Sequence, residues 1–555
     1  MRQFSSLPAA LVLASIAIFS SCKPVAKDPA GTASTPTASA PAAATASQPT
    51  TPAATTPSVA AAPVATPAPT PVPTEVAYQP GHEDADPAPT ASMEQDPNAP
   101  EPIPVDDAWF GQIINESAGT VNFALPGGLA ASGSIDLLEK GGNGEPIVVQ
   151  GRLTSPQPGF YTFQRQTAPG VAGAYFGHVR FDDSEQAYRL EPIGPGGTSM
   201  LVPRKLDQVI CVGMPPAQED GDSADTAQAA TDPQYVPQTH PTNGPYPPSQ
   251  NGIVPLESLP GASAVVFLDF EGGPGPWVGW GNFAAQPANV SNAQIKEVWQ
   301  RVAEDFQPFN INITTNRAVF EAAPRNSRQR VIVTPTNTAA PGAGGVAVIG
   351  SFNSTSDQVC WAFYTSGKAS AEAISHEVGH TLGLSHDGKG SEGYYGGHGN
   401  DPVGWAPIMG VGYYKNLSQW SKGEYAGATQ TEDDLRIITN NNNTVRYRAD
   451  DYGATFATAG HLEVYENGSV SNEGIIETRE DVDAFRFTTT GGVVSFTVNP
   501  VSAGPNLDLL AEIYDSANVL KASNNPPNDI NATVTANLPA GDYTLRVSGV
   551  GRGDP

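Results

Sequence analysis

Eleven residues, His376-Glu377-Val378-Gly379-His380-Thr381-Leu382-Gly383-Leu384-Ser385-His386, constrain this chain more than anything else in it. On a helix, positions four apart share a face with side chains about 5–6 Å apart, so His376 and His380 can grip one cation through ring nitrogens. Gly383 can take the left-handed conformation that ends a helix, turning the chain so that His386 approaches the same ion. Three imidazoles leave one corner of a tetrahedral ion open to water. Zn²⁺ suits neutral nitrogen donors and lowers the pKa of that water toward about 7. Glu377, beside the first ligand, is placed to take the water's proton and deliver it to a leaving amine. With 8 His among 555 residues, coincidence is no rival. A helix that merely fills a core fails too, because three buried imidazoles on one patch would each need a hydrogen-bond partner. A purely structural ion would normally have a fourth protein ligand.

HEVGHTLGLSHD resembles the metzincin metalloprotease signature, and Asp387 after the third histidine resembles its reprolysin or adamalysin branch. APIMGVGYY, with Met409, is similar to the Met-turn that lies beneath zinc in that family. The resemblance covers roughly residues 262–449. It implies a zinc endopeptidase acting on proteins outside the cytoplasm, with zinc-bound water activated by Glu377, metal ligands His376, His380 and His386, and Met409 in a structural role. Val411 stands where astacins and serralysins place a zinc-switching tyrosine, which leaves Tyr413 or Tyr414 for that work. The Gly-rich segment Gly388 to Gly404 is irregular, and His398 within it is read as a non-ligand. Two other readings remain open. One is a surface-anchored lipoprotein that binds proteins or polymers through a degenerate protease fold; the other is a non-peptide zinc hydrolase such as a deacylase.

The surroundings of the motif suit an exported protein. Arg2, an apolar stretch from Leu7 to Phe19 and then Ser20-Ser21-Cys22 read as a signal peptide, because about 13 residues are too few to span a bilayer as a helix. Small residues before a cysteine resemble a bacterial lipobox, which makes Cys22 a lipidation site. Lys23 after it implies an outer-membrane destination facing the periplasm or the exterior, with release after processing as an alternative. Residues 23–106 are rich in Pro, Ala, Thr and Ser and cannot bury enough apolar area to offset ordering entropy, so they form a tether. With 56 acids against 28 bases, no broad basic surface exists for nucleic acid or anionic lipid, so the membrane is reached only through the lipid anchor.

The expected architecture is multidomain: an α+β metzincin-like catalytic domain, residues 251–449, with a mostly parallel twisted sheet and an active-site helix, flanked by an N-terminal all-β domain, 107–214, and a C-terminal β-sandwich, 450–555. A Pro-rich linker, 215–250, separates the first two. Strand patterns at 120–125, 146–153, 159–164, 174–181 and 186–192 define the first domain, with no helical period. In the catalytic domain ASAVVFLDF reads as a buried strand. Ser291 then caps a helix carrying Ile295, Val298, Trp299, Val302 and Phe306 at helical spacing. Further strands are expected at 311–315, 330–335, 345–349 and 359–364, a helix from about Ser370, and a last helix opened by the acids at 432–434.

Cys211 and Cys360 remain once Cys22 is set aside. In an exported chain they can form a disulfide. Alternatively the Cys211 thiolate can take zinc's open position, which resembles the cysteine-switch pro-domains of some metzincins, or both stay free thiols. The stretches DVDAFRFTT and LPAGDYTLRVSG resemble the bacterial pre-peptidase C-terminal domain. Asp481, Asp483 and Asp508 are read there either as Ca²⁺ ligands or as solvated acids at strand edges. The chain stops where that family would add a closing strand, so truncation is expected. The final Arg552-Gly553-Asp554 resembles an integrin-binding triplet, which a short Gly-rich turn also produces.

Overall fold

β-branched apolar runs and helical runs alternate between residues 264 and 382, and each folds as its own pattern dictates. The computed structural model describes residues 100–167, 173–192, 199–211, 215, 217, 252–440, 444–465 and 469–551, with the backbone of 12–17. Cys22, the tether up to residue 99, most of the 215–250 linker and the terminal Arg-Gly-Asp lie outside them. Within the expected signal segment, Val12–Ala17 runs as a strand parallel to Gly492–Asn499.

The region expected to be the catalytic domain runs β1 (Ala264–Asp269), α1 (Asn292–Asp305), β2 (Ile311–Thr314), β3 (Arg328–Val333), β4 (Gly345–Val346), β5 (Val359–Ala362) and α2 (Gly367–Leu382). The sheet order is β2-β1-β3-β5-β4. The first four strands are parallel and β4 is an antiparallel edge. Every residue of β1 is buried, as expected for a parallel strand covered on both faces. Ser291 Oγ accepts from the Gln294 N–H, and Gln294 Oε1 accepts from the Ser291 N–H, closing a capping box on α1. The apolar stripe of α1, Ile295, Val298, Trp299 and Val302, packs with Ile374, Val378 and Leu382 of α2 over this sheet.

Outside this domain the protein is mostly β. Residues 103–205 form an antiparallel ten-stranded sheet. A helix, Asp107–Ile113, precedes its meander, capped by Asp106 accepting from the Trp109 N–H at 2.8 Å. The absence of helical period expected here therefore fails over two turns, where Phe110 and Ile113 are buried and Trp109 packs against the same core. The all-β domain is not separate from the catalytic one. Phe176, Ala187, Val209 and Ile210 share one buried cluster with Trp277, Trp280, Val346, Val348 and Trp361. Gln150 spans the junction, donating to the Trp277 carbonyl and accepting from the Gly279 N–H.

The C-terminal part has two sheets whose inner residues face one core: Val494, Phe496, Val498 and Val534 from one, Phe485, Ala511, Ile513 and Leu545 from the other. Strands Gly492–Asn499 and Ala532–Leu538 alternate buried and open positions with the period of two that a half-covered sheet requires.

A buried charge cluster braces the catalytic sheet. Asp269 at the end of β1 accepts from Arg330 Nε at 2.8 Å and pairs with Arg317 at 3.3 Å, all three almost fully buried. Burial pushes the Asp269 carboxyl up, but Arg330 and Arg317 outweigh it and hold it below its ordinary range. Asp269→Ala would leave the buried Arg330 without its carboxylate and Arg317 with Glu271 alone, and it should cost about 3–5 kcal/mol in urea unfolding. Since the folded carboxyl titrates low, its contribution is complete above about pH 4 and drains away as the pH falls further.

Candidate metal centre

Helix α2 is buried on all sides from Ser370 onward, which suits its Ala-rich sequence. It ends where Gly383 adopts φ 108°, a conformation that costs a side-chain-bearing residue strain. The Leu384 N–H then bonds the Gly379 carbonyl at 3.1 Å, so the chain doubles back and delivers His386. The Nε2 atoms of His376 and His380 lie 3.1 Å apart, and those of His380 and His386 lie 2.9 Å apart.

These separations suit a metal ion. Tetrahedral nitrogens at about 2.0–2.1 Å from an ion sit about 3.3 Å from one another, and a thiolate at about 2.3 Å sits about 3.6 Å from each nitrogen. His376 Nδ1 faces the Ile408 carbonyl at 2.9 Å, and His380 Nδ1 faces the Leu384 carbonyl at 2.8 Å. A carbonyl only accepts, so each Nδ1 carries the proton and each Nε2 presents a lone pair to the common point. Burial lowers His376 to about 4 and His386 to about 3, and it lowers His380 as well, keeping the imidazoles neutral.

A fourth candidate donor stands beside the three rings, Cys211. Its Sγ lies 3.4 Å from His386 Nε2, and Cys211, His376, His380 and His386 form one group able to hold a metal. Of the three readings open for Cys211 and Cys360, the disulfide is not formed: the two sulfurs are not bonded to each other, and Cys211 lies against the histidines. Cys360 faces the Arg330 carbonyl from within the sheet, so its sulfur is spent on packing. Cys211 is carried to the cluster by backbone pairing. Its N–H bonds the Ala347 carbonyl at 3.0 Å, the Ile349 N–H bonds the Val209 carbonyl at 3.2 Å, and Ile210 bridges Val348 in antiparallel fashion. Residues 209–211 thus extend the catalytic sheet along the edge that β4 begins.

Glu377 is fully buried beside this group, with Oε1 3.9 Å from Cys211 Sγ and no partner on Oε2. Burial raises its pKa well above the carboxylate range. Room for it depends on Gly345, where a Cβ would lie 2.6 Å from Glu377 Oε1. Met409 lies under the helix, its Sδ 2.5 Å from where a Cβ on Gly379 would sit, and its carbonyl accepts from the Asp387 N–H. Asp387 itself is raised to about 7 by burial, Glu432 and Glu424.

Sequence reasoning missed Tyr394. Its ring centroid lies 4.2 Å from that of His386 and its hydroxyl 3.9 Å from Cys211 Sγ. Nothing in the spacing of the Gly-rich segment marks it. Of the two tyrosines expected near the ion, Tyr414 is exposed and Tyr413 is buried with its hydroxyl unpartnered. His398 bridges Trp405 and is not among the residues that form the metal group.

Residues 294–387 match the reprolysin-like family of metallopeptidases, family M12B. No curated protein and no solved structure matches the chain. The match supports a metzincin-like metallopeptidase, and that family is zinc-dependent. Purified full-length protein should carry about one zinc per chain by plasma mass spectrometry, and His376→Ala or His380→Ala should lower that to about a tenth or less.

Proposed function

We propose that this protein is a zinc metalloendopeptidase that is exported, tethered to a membrane through a lipidated Cys22, and held latent by Cys211. The observation that carries the reading is the convergence of three neutral imidazoles beside the buried carboxyl of Glu377. His376, His380 and His386 would hold the ion; zinc bound there polarises a scissile carbonyl and acidifies water. Glu377 would accept the proton of the attacking water and hand it to the departing amine, a role its place beside the histidines suits. A substrate strand would pair along residues 346–349, the edge now taken by Val209–Cys211. With an ion held by the three histidines, the Cys211 thiolate would occupy the position water needs, so hydrolysis would require this segment to leave, most simply by a cut within residues 215–250. Ser20, Ser21 and Cys22 support lipid attachment, and the Pro-rich tether supports a catalytic unit displayed away from the membrane.

The test uses full-length protein with casein as substrate. Cys211→Ala should raise cleavage above wild type, and 1,10-phenanthroline should abolish it. Adding Glu377→Ala to that variant should keep the zinc and lose about 10²–10⁴-fold in rate. Retained activity in the double variant would overturn the mechanism.

A further inference from the structure

Five acids meet where the catalytic domain hands over to the C-terminal sandwich. Asp450 and Asp451 follow the last catalytic residues, Glu477 and Asp481 share one turn, and Asp483 opens the strand Asp483–Thr489. Ligand atoms of Asp450, Glu477 and Asp481 lie within 4.8 Å of one another, as do those of Asp450, Asp451 and Asp483, so Asp450 joins two overlapping groups. Acidic clusters at a surface are ordinary. This one is not confined to the surface, because Asp483 is fully buried and Glu477 is 4 % exposed.

Neither oxygen of Asp483 has a hydrogen-bond partner, and the Glu477 carboxyl meets only the Asp481 carboxyl. A carboxylate taken out of water normally brings donors or a cation with it. Here burial, followed by the neighbouring acids Asp451, Asp481 and Glu477, pushes Asp483 up to about 10. Burial and the Asp481 carboxyl push Glu477 up to about 9. The space around Asp483 is kept open by Gly474, where a Cβ would lie 2.2 Å from Asp483 Oδ2. The buried members face the exposed Asp450 and Asp451, which gives an ion a route from solvent.

We infer that Asp450, Asp451, Glu477, Asp481 and Asp483 form a calcium site that ties the C-terminal sandwich to the catalytic domain. Donors that are all carboxylate oxygens select a hard cation, and a crowded, partly flexible set suits Ca²⁺ with its 6–8 ligands better than the strict octahedron and retained waters of Mg²⁺. The set corrects the sequence expectation: Asp481 and Asp483 belong to it, while Asp508 does not, and Asp450, Asp451 and Glu477 were missed. The ion would also fix the orientation of Arg479, two residues from Glu477, which donates to both oxygens of Asp433 across the domain junction. The inference is independent of the peptidase reading.

The test follows thermal unfolding of full-length, zinc-loaded protein in calcium-free buffer, then with CaCl₂ or MgCl₂ added, with calorimetric titration of CaCl₂ alongside. Calcium at about a hundredfold over its dissociation constant should raise the C-terminal transition by about 10 °C. Asp483→Asn should erase that shift yet unfold at or above the wild-type temperature without calcium, because it removes a buried acid from a repulsive cluster. A merely structural Asp483 would lower both transitions. Asp508→Asn should leave the shift intact, and the zinc content of every variant should match wild type. No shift in the wild type, an equal shift with MgCl₂, or a shift surviving in both Asp483→Asn and Glu477→Gln would overturn the inference.

Discussion

Three nitrogen lone pairs pointed at one buried spot repel one another unless something positive sits among them, and the architecture around α2 is arranged to keep them there. The carbonyls of Ile408 and Leu384 orient two of the rings. Those carbonyls exist in the right places only because Gly383 turns the chain and the turn around Met409 passes beneath the helix. The small residues along α2 follow from the same demand: Gly379 sits directly over Met409, and any Cβ there would displace it. Ring orientation, helix composition and the path of the downstream loops are thus parts of one requirement.

The N-terminal all-β domain meets this requirement from the other side. Its strands end in a segment that joins the edge of the catalytic sheet, and that pairing, more than the thiol itself, specifies where the sulfur goes. A cysteine on a free linker would reach the cluster only at an entropic cost. Here the shared apolar cluster around Trp277, Trp280 and Trp361 has already met that cost. A domain that looks separable in sequence is therefore half of a joint core, and removing its last strand segment would uncover both the edge strand and the fourth corner.

The C-terminal sandwich joins the catalytic domain through Ile530, buried with Tyr395, Trp405 and Leu417, and through polar contacts. Asn506 reaches the buried Asp305 of α1 at 3.1 Å, and Arg479 reaches Asp433 at 3.0 Å. Asp305 in turn accepts from Ser375 on α2, so this chain of hydrogen bonds runs from the sandwich to the helix bearing the histidines. The acid cluster at residues 450–483 lies at the root of that connection, where uncompensated charge would loosen it.

Local pattern was enough to read much of this protein. The cap at Ser291, the stripe on α1, the succession of strands along the catalytic segment and the helix that ends at Gly383 all follow from short-range rules, since periodicity and glycine conformation act over a few residues. The meander of the first domain was legible for the same reason. The short helix at Asp107–Ile113 was not, because two turns show too little period to distinguish from a loop. What sequence could not supply was any partner distant along the chain. Whether Cys211 met Cys360 or instead Tyr394 and the histidines, and which acids joined Asp483, were decided by sheet pairing and domain docking between segments up to 183 residues apart. Spacing carries no record of such encounters, because they depend on where whole elements pack rather than on what lies beside them in the chain.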